Sequence, residues 1–252
     1  YTARCLEFKT LEGQQKAAQA CRDHGIDALV VIGGDGSFRG CRDLAKLGIP
    51  CIGIPGTIDN DIACSDYTIG YDTAMNTAVE MIDKLRDTTQ SHDRCSVVEV
   101  MGRNAGYIAL NTGIAVGALV TLIPEVPYDL DRDVISKMKK TQKTGKQHFI
   151  IIIAEGVGHA QDLANEIQSR TGIDSRATVL GHVQRGGSPS LRDRVTASRM
   201  GYHAVELINK GIFNRVVASK AEAIVDYDID VALSMYKTID TSFLDIANAI
   251  SI

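Results

Sequence analysis

Two periods of hydrophobic positions interleave along the chain. Short runs rich in branched apolar residues at 28–32, 51–54, 96–101, 119–123, 149–154 and 178–180 predict β-strands. Between them, 14–23, 37–46, 73–86, 105–116, 131–141, 163–170 and 192–210 carry apolar residues at helical spacing. In the third of these, Ala74, Thr77, Ala78, Met81, Ile82 and Leu85 make one stripe, which predicts a helix face buried in a core. Strand and helix patterns that alternate in this way predict an α/β fold with mostly parallel strands. No repeat or low-complexity tract interrupts the pattern, so any domain boundary is crossed by ordinary short loops.

Composition narrows the class of partner. The 252 residues are 44% hydrophobic and 23% charged, enough apolar material for one large core or two modest lobes. A net charge of -4 with no Lys/Arg run argues against a broad nucleic-acid footprint, so any anion site is local. The longest unbroken apolar run, 149–154, is far short of the ~20 residues that span a bilayer, and the opening residues do not form a signal peptide. A soluble, cytoplasmic chain without a membrane partner is expected. Cys5, Cys21, Cys41, Cys51, Cys64 and Cys95 are scattered without a C-x-x-C pair and read as buried free thiols rather than zinc ligands or disulfides.

The chemistry gathers where strands hand over to helices, the side on which parallel sheets bind ligands. In Gly33-Gly34-Asp35-Gly36-Ser37, glycines let a ligand approach N–H groups at a helix start, which favours phosphate. Asp35 is compatible with phosphate if a divalent cation lies between them, so the turn reads as nucleotide phosphate plus Mg2+, or else as a tight turn with Asp35 or Ser37 as helix cap. After Pro55-Gly56, Thr57, Asp59 and Asp61 alternate; in an extended segment both carboxylates would face one side, one as a base and the other as a metal or water ligand. Arg103 follows a strand in Met101-Gly102-Arg103, where it is either a phosphate fork or a surface ion-pair partner. Arg176, His182 and Arg185 surround a Gly-Gly turn and suit a second phosphate, carried by the substrate.

Taken in order, "GGDGS", "PGTIDND", "MGRNAG", "AEGVG" and "GHVQRGGSP" resemble the ATP-dependent 6-phosphofructokinases of the bacterial type along the whole chain. The resemblance implies two Rossmann-like lobes with helices on both faces of mostly parallel sheets. Residues 1–70 plus 186–238 would form a nucleotide-binding lobe, and 71–185 plus 239–252 a sugar-phosphate-binding lobe. It implies transfer of the γ-phosphoryl of MgATP to the 1-hydroxyl of fructose 6-phosphate, in a homotetramer whose sites are shared between subunits. Matched position by position, Gly34, Asp35, Gly36 and Ser37 cradle ATP with Asp35 at the Mg2+ position, and Arg4 and Cys5 lie beside the nucleotide. Asp59 matches the general base. Thr57, Ile58, Met101, Gly102, Arg103, Glu155, His182, Val183, Gln184 and Arg185 match the sugar-phosphate pocket, while Arg94 and Arg176 match arginines lent by the neighbouring subunit. Gly36 and Gly56 stand where pyrophosphate-dependent relatives carry Asp and Lys, which points to ATP as donor.

Two departures qualify the resemblance. The chain opens at "YTAR", without the family's first strand and Gly-Gly-Asp loop, and an incomplete record is expected. Arg86, Lys146 and His148 match the phosphate-binding side of an effector site for ADP or phosphoenolpyruvate. Leu119 stands there in place of a glutamate, and Thr144 and Gln147 in place of basic residues, so a weak effector response is expected. Two alternatives are a non-catalytic sugar-phosphate-binding regulatory subunit, against which the intact Asp35, Asp59, Asp61 and Arg103 argue, and a NAD or diacylglycerol kinase, which shares the GGDG turn alone.

Overall fold

The apolar runs become strands where helices cover them, and the computed structural model describes residues 5–251. The first elements are α1 (Leu11–Asp23), β1 (Leu29–Gly33), α2 (Asp35–Lys46), β2 (Cys51–Pro55), α3 (Tyr71–Ser91) and β3 (Cys95–Val100). There follow α4 (Tyr107–Ala115), β4 (Val120–Leu122), α5 (Ser136–Gln142), β5 (Phe149–Ala154), α6 (Ala160–Thr171) and β6 (Ser175–Val179). The chain then forms α7 (Leu191–Asn209), β7 (Arg215–Lys220), β8 (Ala223–Asp228), α8 (Ile229–Ser234) and α9 (Ser242–Ile250). It divides into two compact units: the residues up to Thr57 with Asp61–Ile69 and Leu191–Lys237, and Ile58–Asn60 with Gly70–Ser190 and the residues from Thr238 on.

The sheet of the first unit has the order β1-β2-β7-β8. β1, β2 and β7 run parallel and β8 returns antiparallel to β7. β2 is buried throughout because both its faces are covered. Cys51 packs in one cluster with Phe38, Cys41 and Leu44 of α2, whereas Ile52 and Ile54 pack with Met200, Ala204 and Leu207 of α7. That two-sided cover is why its sequence reads as a continuous apolar run.

The second unit holds the parallel order β4-β5-β3-β6. β5, with neighbours on either side, is buried at every position from Phe149 to Ala154. Phe149, Ile151 and Ile153 pack with Val134 and Met138 and with Leu163, Ala164 and Ile167 of α6. The stripe on α3 reaches the core as expected, with Ala74, Ala78 and Ile82 buried.

Several sequence expectations need correction. α1 begins at Leu11, earlier than the periodicity shows, because Thr10 caps it by accepting from the Gly13 N–H at 3.1 Å. The helix expected from 105 starts at Tyr107, since the Ala105 N–H bonds the Gly102 carbonyl in a turn. The stretch expected to be helical over 131–141 opens as a wide π-type turn, Leu130–Ile135, capped by Asp129, and becomes α-helical only at Ser136. β7, β8, α8 and α9 are absent from the sequence reading. Among the described residues, no helix is long and apolar enough to cross a membrane. Cys41, Cys51, Cys64 and Cys95 are buried, Cys21 is partly buried and Cys5 is exposed.

Candidate active site

In the first unit, β1 ends at Gly33 and α2 starts one residue after Gly34. Gly34 itself occupies the cap position with extended backbone and no side-chain cap, so neither Asp35 nor Ser37 is the cap that the turn reading allowed. The Ser37 and Phe38 N–H groups bond the Gly34 carbonyl at 2.9 and 3.2 Å, which leaves the Asp35 and Gly36 N–H groups at the helix start suited to an anion. Asp35 stands half-exposed at the first helical position and accepts from Arg39 Nε at 2.8 Å, one turn along. A Cβ added at Gly36 would meet nothing within 4 Å. One added at Gly34 would meet only the Thr57 Cβ at 3.9 Å. The turn is therefore open above its backbone. Among the described residues no group of three or more His, Cys, Asp and Glu side chains gathers to hold a metal. One accessible carboxylate beside an anion-favouring helix start does fit Mg2+, which keeps several waters and takes most other ligands from substrate phosphates.

Thr57 to Asp61 follow β2. Ile58 and Asp59 form a turn, and Asn60 has a left-handed backbone with φ of 52°. The expectation of an extended segment with Asp59 and Asp61 on one side is thus corrected: a positive φ between them rotates the chain out of strand alternation. Thr57, Ile58, Asp59 and Asp61 are all half-buried. Thr57 is held from behind, its carbonyl accepting from Thr68 Oγ1 at 2.6 Å. Further along, the Tyr67 hydroxyl donates to buried Asp193 at 2.5 Å, and the Arg192 guanidinium lies 4.5 Å from the Tyr67 ring centre.

In the second unit, the carboxyl ends of β3 and β5 build a cradle. Gly102 has φ of 140° and Arg103 φ of 60°, so the chain turns sharply after Met101. A side chain at Gly102 would drive into the Ala105 carbonyl at 2.5 Å. Glu155, just past β5, accepts the N–H of Gly102 at 3.1 Å and of Arg103 at 2.6 Å. Arg103 itself is exposed. Gln184 is buried: its Oε1 accepts from the Met101 N–H at 3.3 Å and its Nε2 donates to the Gly181 carbonyl at 3.1 Å. It thereby ties the short 3-10 turn Gly181–Arg185 to the β3 end, with His182, Val183 and Arg185 exposed around it.

The other end of this sheet carries a different set of charges. Arg94 precedes β3 and Arg176 lies at the start of β6; both bond Asp174, at 2.6 Å from Arg94 Nε and 3.0 Å from Arg176 Nε. Desolvation opposes the charged form of Asp174, but the Arg94 bond and the Arg176 charge prevail and hold its carboxyl below the ordinary range. Sequence reasoning missed Asp174, although an acid two residues before a candidate arginine was a usable signal. Arg86 donates to the Val116 carbonyl. Burial and then the charge of Arg86 lower the pKa of Lys146, and burial followed by Lys146 and Arg86 lowers that of His148, with Asp93 opposing. Two cations and an imidazole held toward its neutral form therefore share one neighbourhood. Leu119 is buried in the hydrophobic core, and Thr144 and Gln147 are exposed. Cys5 is exposed, whereas Arg4 lies outside the described residues.

These features define an α/β protein of mostly parallel strands, with glycine turns and polar groups at the carboxyl ends of β1, β2, β3 and β5, the side on which such sheets bind ligands. The family model described as phosphofructokinase matches residues 1–208, and the chain belongs to that family. It is 54% identical over 250 residues to ATP-dependent 6-phosphofructokinase 1 of Clostridium perfringens, covering 99% of this chain and 78% of the relative. It is also 54% identical over 252 residues to the ATP-dependent 6-phosphofructokinase of Bacillus cereus, covering all of this chain and 79% of the relative. The phosphofructokinase structure from Saccharomyces cerevisiae superposes with a TM-score of 0.85 at 31% identity, over 99% of this chain and 38% of the yeast chain.

Proposed function

We propose that the chain is an ATP-dependent 6-phosphofructokinase of the EC 2.7.1.11 type, moving the γ-phosphoryl of ATP to the 1-hydroxyl of fructose 6-phosphate in glycolysis. The observation that carries this reading is the 54% identity, across the whole chain, to enzymes bearing that name. In this reading the first unit binds the nucleotide at Gly34, Asp35, Gly36 and Ser37, with Arg4 and Cys5 beside it. The second binds sugar phosphate through Met101, Gly102, Arg103, Glu155, His182, Val183 and Arg185, with Thr57 and Ile58 at the reacting end.

The chemistry follows from charge. As the sugar oxygen bonds to the γ-phosphorus and the bond to the β-phosphate bridge breaks, the Asp59 carboxylate accepts the hydroxyl proton. Arg103 offsets the negative charge of the transferring group, so positioning and electrostatics carry the rate. Mg2+ held at Asp35 would neutralise phosphate charge when bound. Gln184 acts from beneath, fixing the Met101 backbone rather than reaching outward. Activity is tested by following fructose 1,6-bisphosphate formation. Asp59→Ser is expected to lower kcat by about 10²–10⁴ with little change in ATP affinity, and a loss below about tenfold would remove Asp59 from the role of base.

The enzyme works in the cytoplasm as a homotetramer in this proposal. Arg94 and Arg176 support the shared site, because the six-residue span of β3 separates the end bearing Arg94 from the end bearing Arg103, about 20 Å at strand rise. One sugar phosphate does not bridge both ends, so these arginines serve a neighbouring subunit. Arg86, Lys146 and His148 form the effector site. Its response to ADP and phosphoenolpyruvate is weak, since buried Leu119 supplies no metal ligand and Thr144 and Gln147 supply no cation.

A further inference from the structure

The stretch after Asp61 is tied down more heavily than a surface loop requires. Buried Ser65 donates Oγ to the Tyr67 carbonyl at 2.6 Å and accepts from the Ser219 N–H of β7 at 2.9 Å. The Asp66 N–H returns a bond to the Ser219 carbonyl at 2.8 Å. The Asp66 carboxylate accepts from the Lys220 ammonium at 2.6 Å and the Ala221 N–H at 3.0 Å. The Ser65 carbonyl then accepts from the ammonium of Lys237 at 2.8 Å, a residue 172 positions further along the chain.

Lys237 lies where a cation is costly. Burial lowers its pKa to about 8, the carboxylates of Asp66 and Asp61 support its charge, and Lys220 opposes it, with Cys64 also near. A bond to a neutral carbonyl does not call for a full charge at a desolvated position. The two carboxylates do, and one of them is Asp61, two residues along the chain from Asp59.

We infer that Lys237 is a positioning residue for the phosphoryl-transfer reaction: its ammonium clamps the Ser65 carbonyl, so that residues 61–66 keep one geometry. The inference rests on the phosphofructokinase reading of the segment that contains Asp59 and Asp61. Lys237 touches no reacting atom in this account; it acts through the backbone it holds.

Lys237→Met and Lys237→Arg in the full chain test this by hydrogen exchange and steady-state kinetics together. In the Met variant, exchange across 61–67 is expected to rise at least about tenfold while β5 is unchanged, and kcat to fall about five- to twentyfold with either KM within about twofold. The Arg variant, which keeps the charge, is expected to recover most of both. Unchanged exchange at 61–67, an equal rise throughout the protein, or a wild-type kcat in the Met variant would each overturn the inference. If the unmutated protein forms no fructose 1,6-bisphosphate, the phosphofructokinase reading fails instead, and the exchange data alone decide whether Lys237 holds the segment.

Discussion

Gly36 and Gly56 look alike as donor-selecting glycines, yet their surroundings differ. A Cβ at Gly36 enters open space, whereas one at Gly56 would lie 2.8 Å from Ile32 Cγ2. A side chain at Gly56 therefore needs the exposed Ile32 side chain to shift, and a lysine there mixes that adjustment with any change of donor. Gly36→Asp is the cleaner probe: the melting temperature should move by no more than about 2 °C while KM for ATP rises at least about tenfold, from charge placed against the nucleotide phosphates. Unaltered ATP kinetics would refute the donor assignment. Lys237 makes a pH prediction at the same scale. Its folded pKa, about 8, lies below the ordinary lysine value of 10.5, so between those two pH values the unfolded chain holds the proton that the folded one has released. Its contribution to stability therefore rises with pH across that window and is least favourable below pH 8, by an amount on the order of 1 kcal/mol after solvent screening. Denaturant melts at pH 7.5 and 9.5 should show this gain in the wild type and a smaller one in Lys237→Met.

Among the elements, β5 was plain in the sequence because both its faces are covered and every position is apolar. β7 and β8 were not, and their turn explains why. Ala221 and Glu222 both adopt positive φ, 45° and 66°, where hairpins ordinarily use Asn-Gly or Asp-Gly. Long-range bonds hold this unfavourable pair: the Ala221 N–H to Asp66 and the Glu222 carbonyl to Arg199. All of these bonds use backbone atoms at the turn and survive substitution. Ala221→Asn with Glu222→Gly should accordingly stabilise the protein by about 1–2 kcal/mol, seen as a higher denaturation midpoint with activity retained. No gain would mean that the turn carries little strain. Capping residues were also hidden, as Thr10 shows, since its oxygen matters only once Gly13 is helical.

For the whole molecule, the test is whether chains complete one another. Asp59→Ser and Arg176→Ser proteins, each inactive alone, should regain partial activity when co-assembled, because mixed oligomers contain sites that take an intact half from each parent. Verified mixed assemblies without recovery would return Arg94 and Arg176 to their own subunit. Asp174→Asn should weaken fructose 6-phosphate binding in this scheme by releasing both arginines from the carboxylate that orients them. An unchanged KM would show that their orientation is set elsewhere.

Local pattern by itself determined the parallel α/β class, most strands and helices, and the glycine turns at the strand ends, because alternation, apolar runs and conformational freedom are properties of short segments. Tertiary structure alone decided what those segments do to one another. It turned the presumed extended carboxylate pair by a left-handed Asn60, made Gly34 the cap of α2, and set Glu155 and Gln184 beneath the backbone of Met101 to Arg103. It also brought Lys237 to Ser65 and Asp174 between two arginines. Hydrogen bonds and charge pairs form between residues far apart in sequence, and no periodicity records them.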